Sequence, residues 1–232
     1  MFKIWVKEKD MYNEICDDWY LYRFCVARNF KLDKVQAMFE TNYEKNIFYK
    51  VSTILEPTYA EVRASMPKSI SENLVGIDKL GRPIKVQKYH SWDPKSVKAC
   101  PLYDWGQYNF RICEQMTNVV FPYCSKLANK RIDKFILIFD LGESDMSPLL
   151  KDKELRKYIQ IPSEIGQDCY PELVAQLWFI NVPTIFSICW MFIKLFMSAK
   201  TQEKSRVFGR NQEKKMIEAI CKELGKENLP EY

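Results

Sequence analysis

The 232-residue sequence holds one histidine, seven glycines and no Cys-x-x-Cys pair among its eight cysteines. Scarce glycine and charges of both signs exclude collagen-like repeats, a disordered chain and a low-complexity tail. Cys16, Cys25, Cys100, Cys113, Cys124, Cys169, Cys189 and Cys221 are scattered, whereas zinc and redox motifs show tight pairs and disulfide frameworks mark short secreted chains. They read as reduced thiols serving as small apolar side chains. Also missing are a Gly-x-Ser-x-Gly elbow, a His-Glu-x-x-His pair and a Gly-rich phosphate loop. His90 reads as a structural or surface residue and Asp140 with Glu143 as a polar loop start, so an enzyme is not expected. No basic and aromatic pattern of a nucleic-acid motif occurs. The N-terminus, MFKIWVKEKD, turns charged too early for the apolar core of a signal peptide, and a cytoplasmic chain is the expectation.

The longest apolar run, LWFINVPTIFSICWMFIKLFMSAK, carries Asn181, Pro183 and Lys194 inside it. A spanning helix needs about 20 mostly apolar residues, and these three weaken a span. Proline suits the first turn of a helix and is excluded from a central strand. The run therefore splits into a buried strand, LWFIN, and a short apolar helix, too short to cross a bilayer but suited to lie on one. Basic residues gather after it, at Lys194, Lys200, Lys204, Arg206, Arg210, Lys214 and Lys215. Such a face beside an apolar helix fits either an anionic membrane surface or plain solvation.

From Met11 to about Val51 apolar residues recur three and four apart, and Asn29 and Lys31 divide the stretch into at least two helices. EPTYAEVRASMPKSISEN reads as a polar connector, which places a boundary between residues 1–65 and 66–232. DKLGRP is a turn, and IKVQKYH alternates as a strand does, with Ile84 and Val86 opposite Lys85 and Gln87. Lys95 to Lys130 reads as a long amphipathic helix interrupted or kinked near Pro122, FILIFDL as a strand covered on both faces, and Ser147 to Cys169 as helix. SRVF adds a short strand and NQEKKMIEAICKELG a closing helix. The expected fold is α/β: a small helical N-terminal lobe plus a mostly parallel sheet flanked by helices.

Four separated pieces resemble one family, the CRAL-TRIO lipid-binding proteins, whose best-known members are the Sec-fourteen-like phosphatidylinositol transfer proteins. YLYRFCVARNFKLDKVQAMFE resembles the family's Leu-Arg-Phe-Leu-Arg-Ala-Arg-Lys-Phe helix motif, and GIDKLGRPIKV its Asp-Lys-x-Gly-Arg-Pro turn. FILIFDLGE is similar to its central strand, and QDCYPELVAQLWFINVPTIFSICWMFIKLFMSAKTQEKSRVFG to its most diagnostic segment. The resemblance implies a cavity for one phospholipid closed by a mobile apolar gate helix. Moving a diacyl lipid out of a bilayer transfers roughly 30 methylenes at about 0.8 kcal/mol each, so ~25 kcal/mol of apolar environment has to be replaced. Phe135, Leu137 and Phe139 would line that cavity, and Ile185, Phe186, Ile188, Trp190, Met191, Phe192, Leu195, Phe196 and Met197 would form the gate.

For the phosphatidylinositol headgroup the resemblance implies Arg28, Glu172, Thr201 and Lys204. Lys204 and Arg28 are assigned to phosphate, Thr201 to phosphate or an inositol hydroxyl, and Glu172 to inositol hydroxyls or to orienting Lys204. Thr201 and Lys204 would share a helical face, and a helix start there would aim free N–H groups at a phosphate. Two departures lower the charge beside Arg28, since Val26 and Asn29 stand where the family usually has basic residues. A third concerns the second ligand. Phe135, Leu137 and Phe139 occupy positions where phosphatidylcholine carriers of the family present small hydroxyl residues, and a phosphocholine zwitterion there would lose water without gaining partners. The expected ligands are phosphatidylinositol and a second lipid other than phosphatidylcholine, with transient membrane contact, no other cofactor, no metal, no nucleic acid, and a monomeric protein. A sterol, retinoid- or tocopherol-like lipophile, or a lipid-sensing module without net transfer, are the alternatives. The family usually continues with a Gly pair where this sequence ends at ENLPEY.

Overall fold

The computed structural model describes residues 1–13, 16–57, 61, 64, 66–67, 70–89, 93–142 and 144–225. His90, Glu143 and all of ENLPEY, together with parts of the connector, lie outside these residues.

Three helices open the chain: α1 (Phe2–Glu8), α2 (Asp18–Ala27) and α3 (Leu32–Phe48). Asp17 caps α2 by accepting from the Tyr20 amide at 2.6 Å, the usual satisfaction of a free helical N–H. The break between α2 and α3 is made by Asn29 and Phe30, both left-handed, with φ 50 and 59°. Phe2, Val6, Leu21, Phe24, Val35, Met38 and Phe39 bury one another in a core of their own.

The five strands are β1 (Ile70–Ile77), β2 (Pro83–Tyr89), β3 (Phe135–Asp140), β4 (Val174–Val182) and β5 (Ser205–Gly209), in sheet order β1-β2-β3-β4-β5. Only β1 and β2 pair antiparallel. The turn joining them is locked by buried Asp78, whose carboxylate accepts from the Leu80 and Arg82 amides and from the Arg82 guanidinium at 2.7 to 2.9 Å. Gly81 takes φ 81°, and a Cβ there would come within 2.9 Å of Ala128 Cβ, so the glycine is required by both conformation and space.

Crossovers carry α4 (Pro94–Ala99), α5 (Leu102–Gln115) and α6 (Phe121–Ala128), then α7 (Pro148–Lys151) and α8 (Lys153–Asp168), then α9 (Phe186–Ile193) and α10 (Ala199–Glu203). The last helix, α11 (Glu213–Leu224), packs on the opposite face of the sheet. Period-two alternation sorts the strands. Ile136 and Ile138 face α11, while Leu137 and Phe139 face the crossover helices.

Two expectations are corrected. The Lys95 to Lys130 stretch is broken at Cys100 and Pro101, and its second interruption is a π-helical segment, Met116–Val120, preceding Pro122. Pro122 sits in the first turn of α6, where no N–H is missed. Ser71, Glu72 and Asn73, read as connector, belong to β1. Lys85 and Gln87, on the side opposite Ile84 and Val86 as expected, are both buried, and Glu72 across the strand pair holds the Lys85 ammonium at 2.8 Å and accepts from the Gln87 amide at 2.6 Å. Among the described residues no helix is long and apolar enough to cross a membrane.

Candidate functional site

Glu172 follows Tyr170 and Pro171 at the turn that feeds β4, and its backbone is left-handed, φ 63°. That conformation costs a non-glycine residue about 1–2 kcal/mol, so the surroundings must impose it. The Tyr170 hydroxyl donates to Glu114 at 2.5 Å, and the other Glu114 oxygen accepts from Asn118 at 2.7 Å. Burial pushes the Glu114 carboxyl above its ordinary range, with these two bonds acting in the opposite direction. Glu114 and Asn118 flank the start of the π-helical segment. The irregularity in the helix thus comes where the Tyr-Pro-Glu turn is gripped.

The carboxylate of Glu172 lies between two ammonium groups. Lys204 Nζ is 3.2 Å from Oε2 and Lys200 Nζ 3.9 Å from Oε1. Lys204 also donates to the Val174 carbonyl at 3.4 Å, and Lys200 reaches across to the first helical lobe, donating to the Val26 carbonyl at 2.9 Å. Arg28, two residues on, caps the end of α2 and stands 3.9 Å from Asp168. Asp168 is held more closely by Lys45, at 2.9 Å. Burial works most strongly against the charge on Lys45, but its bond to Asp168 and the negative charges of Asp168 and Glu164 together outweigh that and hold the ammonium pKa above its ordinary value.

Of the four headgroup residues expected, Glu172 and Lys204 therefore touch, Thr201 sits one turn before Lys204, and Arg28 is one step removed. The helix-start grip on a phosphate is not built. α10 has five residues, Lys204 lies at its C-cap, and the Ser198 hydroxyl already takes the Thr201 amide at 3.2 Å and meets the Thr201 hydroxyl at 2.8 Å.

The apolar helix α9 rests directly on the sheet. Phe139 stacks on Phe179 at 5.2 Å, and Phe179 meets Trp190 at 5.1 Å and Phe186 at 5.4 Å. Aromatic rings thus pack between helix and strands, and a void of about 10 Å³ lies beside Arg156, Cys189, Phe192 and Phe196. Phe135 is not part of this cluster but packs near Phe121, under α5 and α6. Leu137 and Phe139 are packed against the α9 side, together with Ile185.

Outward, α9 and the 3-10 turn that follows it (Lys194–Phe196) present Ile188, Met191 and Leu195, which are 44, 57 and 77% exposed. Spacings of three and four put them on one face. The end of this segment is tied down by side chains that take its carbonyls: Ser163 and Gln167 donate to Phe196, and Gln202 to Lys194 and Met197 at 3.1 and 3.0 Å. Arg156 donates to Leu149 and Leu150 at 2.6 and 2.5 Å and lays its guanidinium over the Phe192 ring at 4.5 Å. Lys200, Asp168 and Glu114 went unassigned in the sequence. For Lys200 the available signal was its position four before Lys204.

A sequence model described as the CRAL/TRIO domain matches residues 68–232. The phosphatidylinositol/phosphatidylcholine transfer protein SFH7 of Arabidopsis thaliana is 30% identical over 201 residues, covering 86% of this chain and 36% of its own length. A SEC14 cytosolic factor of Kluyveromyces lactis is 26% identical over 220 residues, covering 94% of this chain and 71% of its own. Five plant transfer proteins of this kind are matched over only 34 to 53% of their lengths. The crystal structure of Sfh5 shares the fold, with a TM-score of 0.68 at 17% identity over 94% of this chain and 73% of that one.

Proposed function

Because the chain belongs to the CRAL/TRIO domain family, we propose that it is a lipid carrier, and not an enzyme, that lifts phosphatidylinositol out of a membrane and exchanges or presents it. The observation that carries this reading is the Glu172 carboxylate with Lys204 on one oxygen, Thr201 one turn before that lysine, and Arg28 paired with Asp168 on the neighbouring lobe. Charge-assisted bonds of this type contribute about 1.5–3 kcal/mol each, enough to favour an inositol phosphodiester over a neutral headgroup. The proposed division of labour is a helical lobe over residues 1–65 and a lipid-binding domain over 66–232, acting as a monomer in the cytoplasm with brief membrane contact.

In this reading α9 is the gate. The rings of Phe139, Phe179, Phe186 and Trp190 occupy the space the acyl chains need, so uptake requires the helix to swing away and the carbonyl ties from Ser163, Gln167 and Gln202 to open. Relatives named for transfer of phosphatidylinositol and phosphatidylcholine support carriage of lipid.

Liposome-to-liposome transfer of phosphatidylinositol tests the assignment. Lys204→Ala and Arg28→Ala should each lower the rate by about tenfold, the loss of one charge-assisted contact; normal transfer by both variants would refute the site. The second ligand is proposed not to be phosphatidylcholine, because Leu137 and Phe139 meet the gate side with apolar surface. Loading from mixed liposomes followed by mass spectrometry should find phosphatidylinositol and little phosphatidylcholine, and abundant phosphatidylcholine would sink the idea.

A further inference from the structure

We propose that Lys200 is a third cation of the headgroup site, a specificity-determining residue for a singly charged phosphodiester; this rests on the carrier reading above. The first lobe is short of positive charge, with Val26 and Asn29 beside Arg28. The structure returns a cation to that place from the other lobe. Lys200 Nζ donates to the Val26 carbonyl at 2.9 Å while standing 3.9 Å from Glu172 Oε1, on the opposite side of the carboxylate from Lys204.

The charges of the cluster indicate the ligand class. Arg28 and Lys45 balance Glu164 and Asp168, whereas Lys200 and Lys204 share the Glu172 carboxylate alone, which leaves one positive charge. A phosphodiester carries one negative charge and neutralises the cluster. A ring phosphomonoester would add about 1.5–2 further negative charges with no cation left to meet them. Lys200 is suited to the exchange: its ammonium has three donors, its side chain is 42% exposed, and a half-turn of its flexible stem trades a backbone carbonyl for a phosphate oxygen.

The phosphodiester could belong to a membrane lipid or to a soluble glycerophosphodiester, and uptake experiments separate the two. Wild type, Lys200→Ala and Lys200→Arg are compared for uptake of phosphatidylinositol and of diacylglycerol with the same chains, with soluble glycerophosphoinositol as competitor and thermal melting as a control. Lys200→Ala should lower phosphatidylinositol uptake five- to tenfold, discounting a charge-assisted contact for its exposure. Diacylglycerol uptake and melting temperature should stay at the wild-type level, and Lys200→Arg should restore most of the loss. Strong competition by glycerophosphoinositol that disappears in Lys200→Ala supports the same chemistry from a soluble source; weak competition supports the lipid. Unchanged phosphatidylinositol uptake in Lys200→Ala overturns the proposal, as does an equal loss for diacylglycerol together with a lower melting temperature, which would make Lys200 only a tie between lobes. No phosphatidylinositol uptake by the wild type overturns the carrier reading itself.

Discussion

On the side of the sheet covered by α11, Ile84, Ile136, Trp178 and Leu224 are fully buried, with Val86 and Ile138 hardly less so. On the side covered by α9, the same strands offer half-buried Leu137 and Phe139, a helix with Ile188, Met191 and Leu195 in the open, and carbonyls tied by side chains rather than by continuing helix. Close-packed interiors resist change at the scale of a methylene, whereas an element with an open outer face and an end held by exchangeable hydrogen bonds opens at lower cost. In the proposed carrier reading one face is the floor and the other the door, built on alternate residues of the same strands. The largest predicted difference lies there. Trp178→Ala should destabilise the fold by about 3–5 kcal/mol, while Trp190→Ala, half-buried on the gate, should cost roughly 1–2 kcal/mol and alter lipid uptake more than stability. Equal losses in chemical unfolding would erase the distinction between the faces.

Whether a feature can be read in sequence depends on whether its cause is local. FILIFD and the LWFIN portion of β4 announce strands because apolar runs of that length have no other cheap solution, and Pro183 ends the second for a reason contained in one residue. β1 was hidden because ISENLVGI is an edge strand, partly exposed, with Ser71, Glu72 and Asn73 in its first half. The alternation of Lys85 and Gln87 with Ile84 and Val86 was legible, but the burial of the two polar residues was not, because the Glu72 carboxylate that makes it tolerable comes from another strand. In the site, Glu172 and Lys204 were reachable through resemblance. Lys200 was not, since what gives it a place is the carbonyl of Val26, 174 positions away.

The grip of Glu114 on the Tyr-Pro-Glu turn ranks next. Glu114→Ala leaves the buried Tyr170 hydroxyl without its acceptor and should cost about 2–3 kcal/mol. Its pH dependence carries a definite sign. A carboxyl whose pKa is higher in the folded state binds its proton more tightly there, so stability falls as pH rises from the ordinary carboxylate range to the folded-state value. Glu114→Gln removes the titration while keeping the shape. Subtracting the two stability curves cancels every other titrating group, and the wild type should lose ground to the variant as pH climbs through that window. A difference that stays constant with pH would mean that the burial of Glu114 is not what sets its ionisation.

The smallest effect on stability is expected where the exposed apolar ridge of α9 meets nothing in the folded chain. Leu195 is 77% exposed and Met191 57%, so Leu195→Asp and Met191→Asp should move the unfolding free energy by no more than about 0.5 kcal/mol. Yet a ridge of Ile188, Met191 and Leu195 beside Lys194 and Lys200 is the surface a gate would press into an anionic bilayer. Burying a leucine side chain there is worth roughly 1.5–3 kcal/mol when complete, and an aspartate would add repulsion from anionic lipid. Sedimentation with phosphatidylserine-containing vesicles should show a tenfold or greater loss of binding for Leu195→Asp with unchanged melting. If the variant binds as the wild type does, α9 does not meet the membrane with this face, and the open side of the sheet must admit its ligand from another direction.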